Sequence, residues 1–276
     1  MKHIYISGGL GNQMFQYALY LAFKHRNIPV VLDLSDYIET SNHNGYELDR
    51  VFGIKDQTYM FPIKVKSVYT ICKRLISKSS IYPEKIFHFD PAVFTSNCSR
   101  YMGNWLSAGY FNDIEEVIRN VFRFRNINKK NLVYSNKLKC ENSVSLHIRR
   151  GDYLKHARYN VCDERYYKEA IQYICEHVES PVFYVFSEDD EWCAEFMKKF
   201  DVRYHIVDIN RGLDSYQDIY LMSHCKHNII ANSTFSWWGA WLNENSNKIV
   251  VAPSTWFTIR QVRIDIEGNH IINVDR

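Results

Sequence analysis

The chain has 276 residues, 46% of them hydrophobic and 15% aromatic, with a formal net charge of +3. That length suits two packed domains of roughly 100 to 150 residues each, and the near balance of charge excludes nucleic-acid binding through a dominant basic field. The seven cysteines (72, 98, 140, 162, 175, 193 and 225) form no CxxC pair and no metal-ligand spacing, which speaks against a zinc site or a disulfide framework and for a reducing, cytoplasmic setting.

Residues 3 to 7 read as a buried strand, 8 to 13 (GGLGNQ) as a tight loop, and Met14 to Lys24 as a helix with Phe15, Ala18, Leu19 and Ala22 on one face. Pro29 to Asp33 is the next strand, which completes a βαβ unit whose loop lies at the carboxyl end of the first strand, where open parallel sheets bind ligands. No apolar signal region precedes that strand. The longest apolar run, around Tyr17 to Phe23, falls far short of the roughly 20 residues a bilayer span needs. Short helices are expected between 40 and 125, including an amphipathic one near Val65 to Ile76 and another at Asp113 to Val121. The stretch Lys64 to Lys85 is strongly basic. A solvated helix face is the preferred reading of it, with peripheral contact to an anionic membrane as the alternative.

A polar segment, Asn126 to Asn142, is expected to connect the domains. Beyond it, strands at Ser143–Ile148, Val182–Ser187, Arg203–Val207, Asn228–Ala231 and Lys248–Ala252 alternate with helices at Glu164–Val178, Glu191–Phe200, Ser215–Cys225 and Thr234–Asn243. This alternation predicts a doubly wound parallel sheet. The resulting division is an N-terminal acceptor-side domain (1–130), a C-terminal donor-binding domain (140–260) and a tail (261–276).

Three polar clusters follow strands of the second half and therefore share one rim: HIRRGDY (147–153), SEDDEW (187–192) and ANSTFSWW (231–238). Period-two alternation puts His147 and Arg149 on one side of their strand, and the arginine fork matches phosphate oxygens bidentately. Ser233 and Thr234 stand immediately before a helix, where free amides and hydroxyls together hold phosphate. Their ordinary alternative is N-capping. The acids of SEDDEW offer acceptors to the N1 and N2 edge of guanine, against the alternative of complementing a helix dipole. No two aspartates are spaced as DxD, so a metal-bridged diphosphate is not expected and the arginines must neutralise the leaving group. The first loop fits GxG at Gly9 and Gly11, with Asp33 about twenty residues on. It departs from the dinucleotide fingerprint at Met14, where close helix packing asks for Gly or Ala.

Together, GGLGNQMFQYALYLA, HIRRGDY, FYVFSEDDEWC and DIYLMSHCKHNIIANSTFSWWGAWLN resemble, in order and over most of the chain, the bacterial α-1,2-fucosyltransferases, inverting enzymes that use GDP-fucose. The resemblance implies an α/β, GT-B-like fold with two facing Rossmann-type domains built on parallel sheets. It also implies no cofactor and no metal, and donor binding mainly in the C-terminal domain. Arg149 and Arg150 would hold the diphosphate, with His147 beside them and Asp152 fixing the turn. Asn232, Ser233, Thr234 and Phe235 would cradle the phosphates, and Ser187, Glu188 and Asp189 would face guanosine. Gly9 and Gly11 would bring the backbone of their loop close to the donor, and Asn12 would lie near the reacting sugar. Two departures stand out: SED where the family has SDD, and Leu106 where it has Gln. No carboxylate declares itself as general base. Asp152 is a candidate, and a mechanism dominated by departure of the leaving group is the alternative. The implied acceptor is a galactose-terminated oligosaccharide or a lipid-linked glycan, met in the cytoplasm or at the inner face of its membrane.

Overall fold

The computed structural model describes residues 1–35, 37, 43–59, 80–84, 88–151, 159–258, 266 and 269–272. The chain divides into two compact units, Met1–Arg125 and Asn126–Arg276. The helix expected near Val65 to Ile76, most of the basic stretch Lys64 to Lys85, and Asp152 lie outside the described residues.

In the first unit, β1 (Lys2–Tyr5), β2 (Val30–Asp33), β3 (Thr58–Tyr59), β4 (Ile81–Pro83) and β5 (Arg100–Met102) form a parallel sheet in the order β3-β2-β1-β5-β4. Helix α1 (Leu10–His25) begins earlier than the sequence pattern indicates: only Gly8 and Gly9 remain as a turn, and Leu10 to Gln13 form the first helical turn. Gly8 supplies the left-handed conformation (φ 75°) that turns the strand into the helix. The helix stops at a left-handed Asn27 (φ 57°), after which the Ile28 amide returns to the Phe23 carbonyl at 3.0 Å. Two short helices, α2 (Leu48–Phe52) and α3 (Ala92–Thr95), and then α4 (Glu115–Val121) complete the described helices of this unit, with two 3₁₀ turns at 108–110 and 112–114. The strands β3, β4 and β5 have two or three residues each. Runs that short carry no readable period, so the sequence pattern showed helices there and no strands.

The second unit carries six parallel strands: β6 (Ser143–His147), β7 (Val182–Phe186), β8 (Arg203–Ile206), β9 (His227–Ile229), β10 (Val250–Pro253) and β11 (Asn269–Ile272), in the order β11-β10-β9-β6-β7-β8. Both β6 and β7 are buried along their whole length, as expected for central strands covered on both faces by helices. Those helices are α5 (Lys129–Cys140), α6 (Glu164–His177), α7 (Asp190–Met197), α8 (Tyr216–Ser223) and α9 (Thr234–Trp241). Two expectations are corrected. The polar stretch read as a connection is largely α5, capped by the Asn128 side chain accepting from the Asn131 amide at 2.9 Å. Its inward face is Asn131, Ser135 and Leu138, and the buried Asn131 amide donates to Asn210 (2.8 Å) and Gln217 (2.9 Å). A helix that buries amides rather than aliphatics shows no hydrophobic stripe. The residues read as a tail supply β11, an edge strand paired with β10.

A second buried amide fixes the centre of this unit. Asn228 on β9 donates to the Ser145 hydroxyl on β6 (2.7 Å) and to the Met222 carbonyl on α8 (2.9 Å), and accepts from Asn243 (2.8 Å). Every polar atom of that amide is satisfied, so it specifies register rather than penalising burial.

Candidate active site

Taken from β8 to β11, the strand order is 3-2-1-4-5-6, and chain direction across the sheet reverses between β6 and β9. Open α/β sheets bind ligands in the crevice outside the carboxyl ends of the two strands flanking that reversal. Here those ends are His147–Gly151 after β6 and Ala231–Thr234 after β9, two of the three clusters singled out from sequence, and Ser187–Asp190 lies next to them after β7.

On the β6 side, Ile148 extends the ladder through its amide to the Phe186 carbonyl (2.9 Å), and the Arg149 amide donates to the buried Tyr167 hydroxyl (3.3 Å). The backbone is therefore held up to the turn. The Arg149 guanidinium pairs with Glu188. Arg150 donates to Asp189 at 3.1 Å and lies 3.9 Å from the Trp192 ring centroid. Asp189 in turn caps α7, its other oxygen accepting from the Trp192 amide at 3.2 Å. Ser187 accepts from the Asp189 amide (3.1 Å), and Asp190 pairs with Arg211.

His147 is 6% exposed, its ring 6.0 Å from that of Phe235, and its Nδ1 has no partner among the described residues. Burial, followed by repulsion from Arg149, pulls its pKa down to about 3. The imidazole is thus neutral at physiological pH and serves as a hydrogen-bonding or packing group rather than as a cation.

On the β9 side, Asn232 is buried and its amide donates to the Tyr159 (3.0 Å) and Trp256 (2.9 Å) carbonyls. Those bonds brace two flanking loops. Ser233 occupies the N-cap position of α9 with extended backbone, yet its hydroxyl makes no capping bond. Ordinary side-chain capping is therefore not what this serine does, and the first turn of α9 starts with amides that the cap residue leaves unclaimed. Thr234 and Phe235 are half-buried at the same helix start.

In the first unit, the turn that contains Gly9 is locked by two glutamines of α1. Gln13 donates to the Gly8 (2.9 Å) and Gly45 (2.8 Å) carbonyls and accepts from the Glu47 amide (2.9 Å). Gln16 accepts from the Ser7 amide (2.9 Å) and donates to the Gly103 carbonyl (3.0 Å). Gly11 is buried in the first helical turn, whereas Asn12 is half-buried, with its amide 2.8 Å from where a Cβ on Gly8 would stand. Asp33, which a dinucleotide site would use for ribose, is 2% exposed and instead accepts from the Ser35 amide (3.0 Å) and Arg100 (3.4 Å). Leu106 is buried at 4% exposure, beside a left-handed Trp105 (φ 56°). Glu84 accepts from the Asn104 (2.7 Å) and Trp105 (2.8 Å) amides, so its carboxylate fills the concave row of amides made by that loop.

Residues 1–267 match the glycosyl transferase family 11. The chain belongs to that family. It is 36% identical to an α-1,2-colitosyltransferase of Escherichia coli over 91% of both chains, and 36% identical to the O-antigen biosynthesis glycosyltransferase WbnK of Escherichia coli, covering 91% of this chain and 93% of that one. A shorter stretch, 36% of this chain and 28% of the other, is 32% identical to the human galactoside α-(1,2)-fucosyltransferase 1. Among solved structures, the fucosyltransferase NodZ from Bradyrhizobium is similar over 87% of this chain and 91% of that chain, at 14% identity and a TM-score of 0.48.

This family 11 glycosyltransferase contains buried polar residues that the sequence pattern did not single out. Gln13 and Gln16 stand on the apolar face of α1, three residues apart and fully buried, and polar residues at core positions were the available signal. Asp218 on α8 is the other. Burial pushes its carboxyl up to about 7, against the opposing effects of a 2.7 Å hydrogen bond from Asn210 and of nearby Arg211. Nothing in DIYLMSHC marked that aspartate, because its burial depends on the amide network under α5. Among the described residues no helix is long and apolar enough to cross a membrane.

Proposed function

We propose that this glycosyltransferase moves L-fucose from GDP-β-L-fucose to O2 of a terminal galactose, with inversion, giving an α-1,2 linkage. The observation that carries the reading is the placement, at the switch point of the second sheet, of Arg149 after β6 and of the start of α9 after β9, where the Ser233 hydroxyl makes no capping bond. A diphosphate set there meets a guanidinium on one side and the positive end of a helix on the other.

The acceptor hydroxyl attacks the anomeric carbon from the face opposite GDP, through an oxocarbenium-like state, as the bond to the β-phosphate oxygen breaks. Negative charge develops on that oxygen, and a preorganised donor aimed at it lowers the barrier. Arg149 is the residue proposed to do so, with Ser233, Thr234 and Phe235 around the phosphates. Arg150, tied to Asp189 and Trp192, braces the turn. His147, neutral and buried, fixes the Phe235 side of the site. Asp152 remains the candidate base, with leaving-group departure as the alternative driving step. The absence of DxD from the sequence supports neutralisation by the chain's own cations rather than by a resident metal. Asn12, at the first turn of α1, is proposed to meet the sugar. The acceptor is proposed to be a galactose-terminated oligosaccharide or lipid-linked glycan.

A second donor is favoured by one observation, the 36% identity to a colitosyltransferase over 91% of the chain. Colitose is fucose without its 3-hydroxyl, so the same diphosphate site serves both. Parallel incubations with GDP-fucose and GDP-colitose, a panel of galactosides, and EDTA test the reading. Transfer from GDP-fucose that survives EDTA supports it; transfer from GDP-colitose alone moves the assignment to the second donor.

A further inference from the structure

We propose that Glu188 is the resident counter-ion of Arg149, a carboxylate that the donor's diphosphate displaces, and that it sets donor affinity instead of reading the base. The inference rests on the proposal that Arg149 binds diphosphate. Four consecutive acids follow β7, and the first three each meet an arginine: Glu188 with Arg149, Asp189 with Arg150 and Asp190 with Arg211. Their positions differ in what holds them.

Asp189 is committed to the helix, since the same carboxylate caps α7 and anchors an arginine stacked on Trp192. Removing it would uncap the helix. Glu188 precedes the cap, has 44% of its side chain exposed, and packs its two carboxyl oxygens 3.4 and 3.6 Å from where a Gly151 Cβ would stand. It therefore lies directly over the Arg149–Gly151 turn. A carboxylate and a phosphate compete for the same guanidinium fork. With the carboxylate partner 44% exposed, this ion pair is weak, so a diphosphate carrying several charges displaces it. Monovalent anions gain too little to do so. When the reaction leaves free GDP, the returning carboxylate also favours product release.

The test is calorimetric titration of the intact protein with GDP and, separately, with inorganic pyrophosphate. The isosteric Glu188→Gln variant is compared with wild type, and Glu188→Asp, whose shorter arm withdraws the carboxylate, serves as a second variant. Both substitutions are expected to tighten GDP and pyrophosphate alike, by about fivefold, the equivalent of about 1 kcal/mol. Glu188→Gln that weakens GDP while leaving pyrophosphate unchanged would make Glu188 a base contact and overturn the proposal. Unchanged affinity for both ligands in both variants would overturn it as well. The underlying site reading fails in a different way: Arg149→Ala would then bind pyrophosphate as wild type does.

Discussion

Replacing Asp218 with asparagine removes one ionisable group and little else, because an amide oxygen still accepts the Asn210 hydrogen bond, now 2.7 Å long. Burial holds the wild-type carboxyl at about 7 in the folded chain, above its ordinary value of 3.8. Between those values the folded state keeps a proton that the unfolded chain has released. The stability this group contributes is therefore complete below pH about 4 and is lost as pH rises through about 7. A difference of some three units corresponds to about 4 kcal/mol at most. Neighbouring Arg211 and Asp190 act on the carboxyl in opposite directions, and their charges are unchanged in the variant. Urea unfolding followed by tryptophan fluorescence suits the measurement, since Trp192, Trp237, Trp238, Trp241 and Trp256 all lie in the second unit. We expect Asp218→Asn to exceed wild type by no more than about 1 kcal/mol near pH 4.5 and by about 2 to 4 kcal/mol at pH 8. Stability curves that run parallel from pH 4.5 to 8 would refute the reasoning.

Other substitutions test separate parts of the fold and site. Gly239→Ala places a methyl 2.7 Å from the Met222 Cβ and 3.2 Å from its sulfur, where α9 packs on α8, so it should cost about 1 to 3 kcal/mol by denaturant titration. Glu84→Ala strands the Asn104 and Trp105 amides and should cost about 2 to 3 kcal/mol, with Glu84→Gln in between, by the same titration. Arg149→Ala should lower kcat by about a thousandfold, the scale of a removed phosphate-stabilising arginine, with its melting temperature close to wild type. Near-normal turnover in that variant would remove Arg149 from the site.

Most of the second unit was legible in sequence because β6, β7 and α6 are long enough to show their periods, and because each functional cluster follows a strand directly. HIRRG and ANST could be placed on one rim from alternation alone. The structure adds that they flank the reversal of strand order between β6 and β9, which needs long-range pairing that no local pattern encodes. In the first unit, β3 to β5 were too short to read. The extent of α1 was misjudged because glycines at 9 and 11 read as loop, although the Gly9 carbonyl accepts from the Asn12 and Gln13 amides and so begins the helix. α5 was hidden by its own chemistry, since it buries asparagine and serine. For the site residues the chief surprise is electrostatic: Glu188 and Asp189, read as guanine partners, stand paired with arginines. Local sequence shows that acids are present and does not show which cation reaches them.

The proposed reaction is transfer of fucose from GDP-fucose to galactose O2 without a metal. The most direct measurement is incubation of the purified protein with GDP-β-L-fucose, a terminal β-galactoside and EDTA, with the product linkage and anomeric configuration read by NMR. The expected product is an α-linked fucose on O2 of galactose, with free GDP in equal amount. Fucose released only to water, a linkage to another hydroxyl, or transfer abolished by EDTA would contradict it.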